Sequence, residues 1–279
     1  MEKEKQLAIF EQQVKNSIPY IAVGGGKGGV GKTFVTYLLA HQLAKHGKVL
    51  VLDADMGLPD FYIIGGIKPN KYLEDYLQGN ATLDEIVTPV SENLHLISPQ
   101  NGSDYLTGLD TKTALELLNK LEEFISNNYD YFLIDLGAGI HKINQIIFAS
   151  VHYPILVLNP DIMSIIDAYG FIKVVFQNFG RNSFYAVVNR VYEPQEYKKA
   201  FNVLIKSLEN FNKNIQVEDL GYIPYNQKAA KGEVPRELFV YADKILNKLL
   251  KDKINIEIPE KGKGGLGLFS LILKIFRRT

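Results

Sequence analysis

Apolar and polar positions along the chain form two kinds of block. Short apolar runs bounded by turn residues are typical of buried strands, and longer segments with apolar residues three or four positions apart are typical of helices packed on a core. The short runs predict strands at 18–23, 49–52, 94–97, 131–134, 155–158, 185–188 and 216–223. The longer segments predict helices at 33–46, 111–126, 162–179, 194–210 and 236–250. This alternation predicts an α/β fold, in which a mostly parallel, twisted sheet carries helices on both faces.

A glycine-rich loop, GGGKGGVGKT, joins the first predicted strand to the first predicted helix. It satisfies the phosphate-loop pattern G-x-x-x-x-G-K-[ST] in the strand–loop–helix context that this pattern requires. Glycines let backbone N–H groups close around phosphate oxygens, and the helix N-terminus adds positive potential. The lysine of the pattern supplies a cation beside the β- and γ-phosphates, and its threonine hydroxyl is a ligand for Mg²⁺. The predicted nucleotide-binding residues here are Gly26, Lys27, Gly28, Gly29, Val30, Gly31, Lys32, Thr33 and Phe34.

A dinucleotide-binding loop is the alternative for this stretch. Gly24, Gly26 and Gly29 also form G-x-G-x-x-G, and Asp53 ends the next strand, where an acid would bind a ribose. Because Gly-Lys-Thr at the helix start has no role in that fold, the sequence favours a nucleoside triphosphate.

Carboxylates follow two further predicted strands. Asp53 and Asp55 come after the second strand, and Asp135 comes after the strand at 131–134. The carboxyl ends of parallel strands border the ligand crevice of α/β folds, although aspartates after a strand also build ordinary turns. An apolar strand ending in aspartate is typical of a Walker B element, which predicts that Asp135 holds Mg²⁺ through water. Gly137 and Gly139 supply the mobility that a nucleotide-dependent switch requires.

The second lysine of GKGGVGKT, Lys27, makes the loop resemble the deviant Walker A loop of the MinD/ParA family of dimerising ATPases. This resemblance covers about residues 18–250 and implies ATP and Mg²⁺ as cofactors, slow hydrolysis and a homodimer in the ATP-bound state. In the family, the lysine at the position of Lys27 reaches across the dimer to the phosphates bound by the partner subunit. The alternative is that Lys27 is an ordinary solvated lysine. The resemblance further implies three sets of residues. They are the catalytic residues Lys27, Lys32 and Asp55, with Asp55 positioning the attacking water; the metal-site residues Thr33, Asp53 and Asp135; and Asn189, Arg190 and Pro224 around the adenine.

Composition narrows the class of protein. Lys plus Arg and Asp plus Glu both number 31, so no basic surface argues for nucleic acid as a partner. The absence of cysteine excludes disulfides and thiolate-bound metal, and argues against the iron–sulfur branches of the family. With no secretory signal and no stretch of about 20 apolar residues visible, the sequence predicts a cytoplasmic protein.

Both ends of the chain carry segments outside the predicted domain. Residues 1–17 predict a short amphipathic helix, which is either a packing appendage or a partner-activating segment. Residues 251–265 read as a linker, and 266–279 predict a cationic amphipathic helix. Such a helix suits an anionic membrane surface, which would place the protein on the inner face of the cell membrane; packing on the protein's own surface is the alternative. The predicted membrane-binding residues are Leu268, Phe269, Ile272, Leu273, Lys274, Ile275, Phe276, Arg277 and Arg278.

Within the family the chain most resembles the flagellar number regulators FlhG, also called FleN or YlxH. The resemblance rests on the helix before the first strand, on LIDLGAGI and on SIIDAYGFIKV. It implies control of flagellar number or placement, with an FlhF-type GTPase and flagellar basal-body proteins as partners. Gln6 matches the glutamine of a GTPase-stimulating motif D-Q-A-x-x-L-R, but its Asp, Ala and Arg are missing. The alternatives are a MinD-type septum-site-determining ATPase and a positional scaffold that holds nucleotide without turnover.

Overall fold

A computed structural model of the chain describes residues 18–55, 61–100 and 111–251. Eight strands form one sheet in the order β3-β4-β2-β5-β1-β6-β7-β8. Neighbouring strands are parallel except for β3 and β4, which are antiparallel at one edge. The strands are β1 Tyr20–Gly24, β2 Val49–Ala54, β3 Thr88–Ser91, β4 Leu94–Ile97, β5 Tyr131–Leu136, β6 Tyr153–Leu158, β7 Ser183–Val191 and β8 Gln216–Pro224.

Helices cover both faces of this sheet. They are α1 Lys32–Leu43, α2 Phe61–Gly65, α3 Leu73–Leu77, α4 Leu83–Ile86, α5 Thr111–Asn128, α6 Lys142–Ser150, α7 Ile162–Phe179, α8 Pro194–Phe211 and α9 Phe239–Lys251. Two short 3₁₀ turns, Ala229–Lys231 and Arg236–Leu238, precede α9.

The central strand shows why the sheet needs two layers of helices. All five residues of β1 are buried, and they point alternately to the two faces. Tyr20 and Ala22 pack into the core beneath α5 to α8, whereas Ile21 and Val23 pack into the core beneath α1 and α9. A strand that is apolar on both sides is stable only between two covered faces.

The predicted α/β fold with a mostly parallel sheet is confirmed. Every predicted strand and helix outside the chain ends is present. Strand β6 begins at Tyr153, two residues earlier than predicted, because Pro154 lies near the start of the strand, where its missing N–H is tolerated.

Strand β3 and helix α6 are not among the predicted elements. The edge strand β3 contains the exposed Pro89, which is compatible with an edge position but weakens the strand pattern. Helix α6 follows the glycines of the switch segment, and its N-cap residue His141 makes no side-chain capping bond. Its start therefore carries no sequence signal.

By length and composition alone, α7 could cross a membrane. However, Ile165, Phe171 and Ile172 on one side of it are buried in the core with the sheet, which is the position of a core helix in a globular domain. The predicted N-terminal helix with Gln6, nearly all of the predicted linker and the predicted C-terminal membrane helix lie outside the described residues.

Candidate nucleotide-binding site

The glycine-rich loop lies at the carboxyl edge of the sheet, between β1 and the start of α1. Gly31 is the N-cap of α1 and has φ 91° and ψ 31°, a left-handed conformation. A Cβ on Gly31 would collide with the side-chain amide of Asn189. At Gly26 a Cβ would lie 2.6 Å from the carbonyl carbon of Asp167 on α7. Both positions need glycine, and the cradle that results places the free N–H groups of the first helical turn at the bottom of the loop.

Asn189 braces this loop from β7. Its side-chain nitrogen donates a 2.8 Å hydrogen bond to the carbonyl of Val30, and both side chains are buried. The structure therefore brings the predicted adenine-recognising asparagine to the phosphate loop itself, where one of its amide hydrogens is engaged by the main chain.

Lys32 lies inside the loop. Its side chain is 7% exposed, and its ammonium donates to the carbonyl of Lys27 at 3.3 Å. Burial lowers the pKa of Lys32, an effect opposed by the nearby carboxylates of Asp135 and Asp55. A cation held in this way faces the space that the loop encloses, which suits the β- and γ-phosphates of a nucleotide.

Asp135 ends β5 directly beside the loop. Its Oδ1 accepts a 3.1 Å hydrogen bond from the hydroxyl of Thr36, while its buried Oδ2 has no hydrogen-bond partner among the described residues. Burial raises the pKa of this carboxyl to about 7, opposed by the hydroxyls of Thr33 and Thr36 and by Lys32. An orphaned carboxylate oxygen beside the first turn of α1 fits a Mg²⁺ site, because carboxylate and hydroxyl oxygens are the ligands that Mg²⁺ prefers.

Asp53 lies on β2 at the register position facing Asp135. Its Oδ1 accepts the N–H of Asp55 at 3.1 Å, and its Oδ2 accepts the N–H of Phe61 at 3.2 Å. Burial, reinforced by the charge of Asp135, raises the pKa of Asp53 to about 8. Asp53 therefore has a structural role besides the predicted metal site, because its two carboxylate oxygens bind the backbone N–H groups of Asp55 and Phe61.

The two predicted switch segments meet at Asp55. A Cβ on Gly137 would lie 3.1 Å from the carboxyl carbon of Asp55, so a side chain at this position would press on Asp55 and glycine relieves that crowding. The segment after β5 is held from α6, where Asn144 donates to the carbonyl of Gly137 at 3.2 Å and Gln145 donates to that of Ile140 at 2.7 Å.

Lys27 lies on the outside of the loop, unlike Lys32. Its side chain is 42% exposed, and its ammonium is 3.8 Å from Oδ1 of Asp161, the N-cap residue of α7. A long, exposed ion pair of this kind contributes about 0–1 kcal/mol, so Lys27 leaves it at little cost.

The remaining predicted residues surround the loop at different depths. Gly28 and Gly29 are exposed, Phe34 packs its half-buried ring on the core, and Pro224 ends β8 opposite Val191. Arg190 is exposed and has φ 57°.

Sequence reasoning missed Thr36, Asn144, Gln145 and Asp161. Thr36 lies one helical turn beyond Lys32, so that its position on the loop side of α1 could have been read from the helical period. Asp161 with Ser164 forms an N-cap pair that the residue types also signal. The two amides of α6 carried no signal because the helix itself was not predicted.

Comparison with known proteins identifies a nucleotide-binding family. Residues 21–237 match the family model described as the CobQ/CobB/MinD/ParA nucleotide binding domain. The chain is 31% identical to the flagellum site-determining protein YlxH of Helicobacter pylori over 89% of this chain and 88% of that protein. It is also 31% identical to the antiactivator FleN of Pseudomonas aeruginosa over 80% of this chain and 79% of FleN.

Among solved structures, a chain of the MinC:MinD cell division protein complex of Aquifex aeolicus superposes with a TM-score of 0.64 at 25% identity. The match covers 88% of this chain and all of that one. The family's nucleotide is ATP with Mg²⁺. The chain belongs to the CobQ/CobB/MinD/ParA family, as a MinD/ParA-type P-loop ATPase.

Proposed function

We propose that this protein is an ATP-dependent dimerising, membrane-associating switch that regulates the number or placement of flagella. The observation that carries the proposal is the contrast between the two loop lysines. Lys32 is buried and serves its own loop, whereas Lys27 is exposed and held only by a weak ion pair. A cation placed outside its own phosphate cradle is suited to the phosphates of a nucleotide on a second copy.

An apolar surface beside Lys27 supports a dimer. Nine large hydrophobic side chains are exposed within residues 18–55, 61–100 and 111–251, and five of them lie around the starts of α6 and α7, next to the phosphate loop. These five are Ile140, Ile143, Ile162, Met163 and Ile166. A cluster of this kind at the rim of a nucleotide site favours contact with another protein surface.

The proposed reaction is slow hydrolysis that resets the switch. Mg²⁺, held by Thr33, Asp135 and the nucleotide with Asp53 nearby, would neutralise charge on the phosphates. Lys32 binds the β- and γ-phosphates, and Asp55 orients the attacking water and accepts its proton. Gly137 keeps the two switch segments in contact, so that their positions depend on each other.

The flagellar and membrane parts of the proposal rest on two supports. The YlxH relative is named a flagellum site-determining protein and FleN an antiactivator, each 31% identical over most of its length. The sequence of residues 266–279 is that of a cationic amphipathic helix suited to an anionic inner membrane surface. An FlhF-type GTPase activated through Gln6, and flagellar basal-body proteins, are the proposed partners.

Sedimentation with vesicles tests this function. Purified protein with Mg²⁺ and ATP should sediment as a dimer and bind anionic vesicles, and with ADP it should be monomeric and mostly unbound. A phosphate-release assay on the same samples separates an ATPase from a scaffold without turnover.

Counting flagella and septa in cells lacking the gene then separates the flagellar role from the septal one. Unchanged flagellation together with misplaced septa would overturn the flagellar assignment.

A further inference from the structure

Thr36 places a buried hydroxyl beside the carboxylate of the metal site. It lies on α1, one helical turn after Lys32, and its side chain is fully buried. Its hydroxyl is 3.1 Å from Oδ1 of Asp135 and 3.0 Å from the carbonyl oxygen of Lys32. The phosphate-loop pattern ends at Thr33, so the motif assigns no role to Thr36.

This hydroxyl has two acceptors but only one hydrogen to donate. Threonines inside helices commonly bond the carbonyl four residues earlier, which here is the carbonyl of Lys32. A carboxylate is the stronger acceptor, because hydrogen bonds to an ionised group are about twice as strong as neutral ones. When Asp135 is ionised, as a metal requires, the hydrogen of Thr36 therefore belongs to Oδ1 of Asp135.

The bond from Thr36 leaves the two oxygens of Asp135 in different situations. Oδ1 accepts from the hydroxyl, whereas Oδ2 is buried and has no hydrogen-bond partner in the part of the chain that the structure describes. A carboxylate anchored at one oxygen no longer rotates freely about its Cβ–Cγ bond, so its other oxygen keeps a fixed direction. Because buried polar atoms are rarely left unpaired, Oδ2 is the atom available to a cation or its water.

Thr33 and Thr36 differ in what their hydroxyls can reach. Thr33 is half-buried at the start of α1 beside the loop, where a phosphate-bound metal would lie. Thr36 is three residues farther along the helix, about 4.5 Å of helix rise from Thr33 and away from the loop. Its hydroxyl is closed to solvent and bonds Asp135 on β5. Thr33 thus suits direct contact with the metal, and Thr36 suits support of the carboxylate.

We infer that Thr36 is a positioning residue of the metal site, which holds Oδ1 of Asp135 so that Oδ2 remains available to Mg²⁺ or its bound water. This inference rests on the Mg²⁺ site proposed at Thr33 and Asp135, and it does not depend on dimerisation. Hydrogen-bond partners behind a metal ligand typically account for about 10–100-fold in metal affinity. Loss of the Thr36 hydroxyl should therefore weaken Mg²⁺ binding while the nucleotide cradle, which other residues build, stays intact.

ADP binding with and without Mg²⁺ tests this role. Calorimetric titration of ADP at saturating Mg²⁺ and in EDTA gives two affinities, and their ratio measures how much the metal adds. Thr36→Val keeps the branched shape but lacks the hydroxyl, so the ratio should fall roughly 10-fold or more while the affinity in EDTA stays unchanged. Thr36→Ser keeps a hydroxyl and should retain the wild-type ratio.

Ser207→Ala is the matched control for the helical bond. The hydroxyl of Ser207, near the end of α8, donates to the carbonyl of Val203 four residues earlier at 2.8 Å. Its loss removes the same kind of bond and should leave the ratio unchanged. Thermal unfolding establishes that each variant is folded, and Thr36→Ala takes the place of Thr36→Val if the valine variant is not.

A double-mutant cycle with Asp135→Asn separates this inference from the metal site itself. Asp135→Asn should lose most of the Mg²⁺-dependent affinity, and adding Thr36→Val should then cause no further loss, because the two residues act as one unit. Additive losses, an unchanged ratio in Thr36→Val, or a serine variant that behaves like the valine variant would overturn the role of Thr36 alone. A wild-type ratio in Asp135→Asn would overturn the metal site and this inference together. The proposed dimer switch is judged separately, by sedimentation of the wild type with ATP.

Discussion

Asp53 and Asp135 are partners in the register of the neighbouring parallel strands β2 and β5, and burial raises the pKa of both carboxyl groups. The raised pKa values are about 8 for Asp53 and about 7 for Asp135. Two buried carboxylates on adjacent strands repel each other when both are ionised, and a divalent cation beside them removes that cost. The site is thus prepared for a metal that arrives with the nucleotide.

Stability without nucleotide should fall as pH rises. In the unfolded chain these carboxyl groups ionise near their ordinary value of 3.8, whereas in the folded protein they ionise near 8 and 7. Between these values the folded state binds more protons, so the free energy of unfolding should decrease from about pH 4 to pH 8 and then level off. Urea unfolding across this range measures the decrease, and saturating Mg²⁺-ADP should reduce it.

A pair of variants assigns this pH dependence. Asp53→Asn should flatten the slope of unfolding free energy against pH, because one of the two carboxyl groups no longer titrates. The asparagine side chain has only one acceptor oxygen, so it can pair with the N–H of Asp55 or of Phe61 but not with both. Glu209→Gln, at an exposed position on α8, should leave the slope unchanged. A slope that is the same in Asp53→Asn and in the wild type would refute this origin.

Gly31→Ala should abolish nucleotide binding. The new Cβ would stand in a left-handed conformation and collide with the Asn189 amide, displacing either the loop or its brace. Gly232→Ala is the matched control, since Gly232 has φ 89° and its Cβ would meet nothing within 4 Å. Both variants should lose about 1 kcal/mol or more of stability from backbone strain. Only Gly31→Ala should lose binding in calorimetric titrations with ADP.

Asp55→Ala should slow turnover while nucleotide binding survives. The carboxylate is proposed to orient water, so hydrolysis should fall by roughly 10²-fold or more, with the ATP-bound dimer accumulating. Single-turnover phosphate release and ADP affinity are the two measurements. A comparable loss of affinity would assign Asp55 to the metal site or to loop structure instead.

Membrane binding should depend on apolar side chains near the C-terminus. One short interfacial helix binds marginally, but two helices held on one face of an ATP dimer gain avidity of roughly 10²–10⁴-fold. Phe269→Glu or Phe276→Glu should release the protein from anionic vesicles without changing its basal ATPase activity. Equal vesicle binding in ATP and in ADP would exclude the avidity mechanism.

The sequence predicts the sheet well because strands buried on both faces carry continuous apolar runs, as in β1 and β6. The loop was equally predictable, since Gly31, Lys32 and Thr33 are residue types that only this chemistry requires together. Long-range contacts were not predictable. The bond from Asn189 to Val30 joins residues 159 positions apart, and the approach of Asp167 to Gly26 depends on where α7 crosses the loop. Such contacts follow from packing, which no local pattern encodes.

Action of Lys27 on the partner's nucleotide is the central claim of this account, and mixing two inactive variants tests it most directly. In a mixed dimer of Lys27→Ala with Asp55→Ala, the Lys27→Ala chain keeps its own Asp55 and receives Lys27 from the other chain. An equimolar mixture should therefore regain up to roughly a quarter of the wild-type rate, since random pairing gives half mixed dimers with one competent site each.

The control replaces the Lys27→Ala chain with one carrying both substitutions, and this mixture should remain inactive. Phosphate release in the first mixture and none in the second is the predicted result. If the first mixture forms dimers by sedimentation yet releases no more phosphate than its two components do separately, Lys27 acts within its own chain and does not reach the partner's nucleotide.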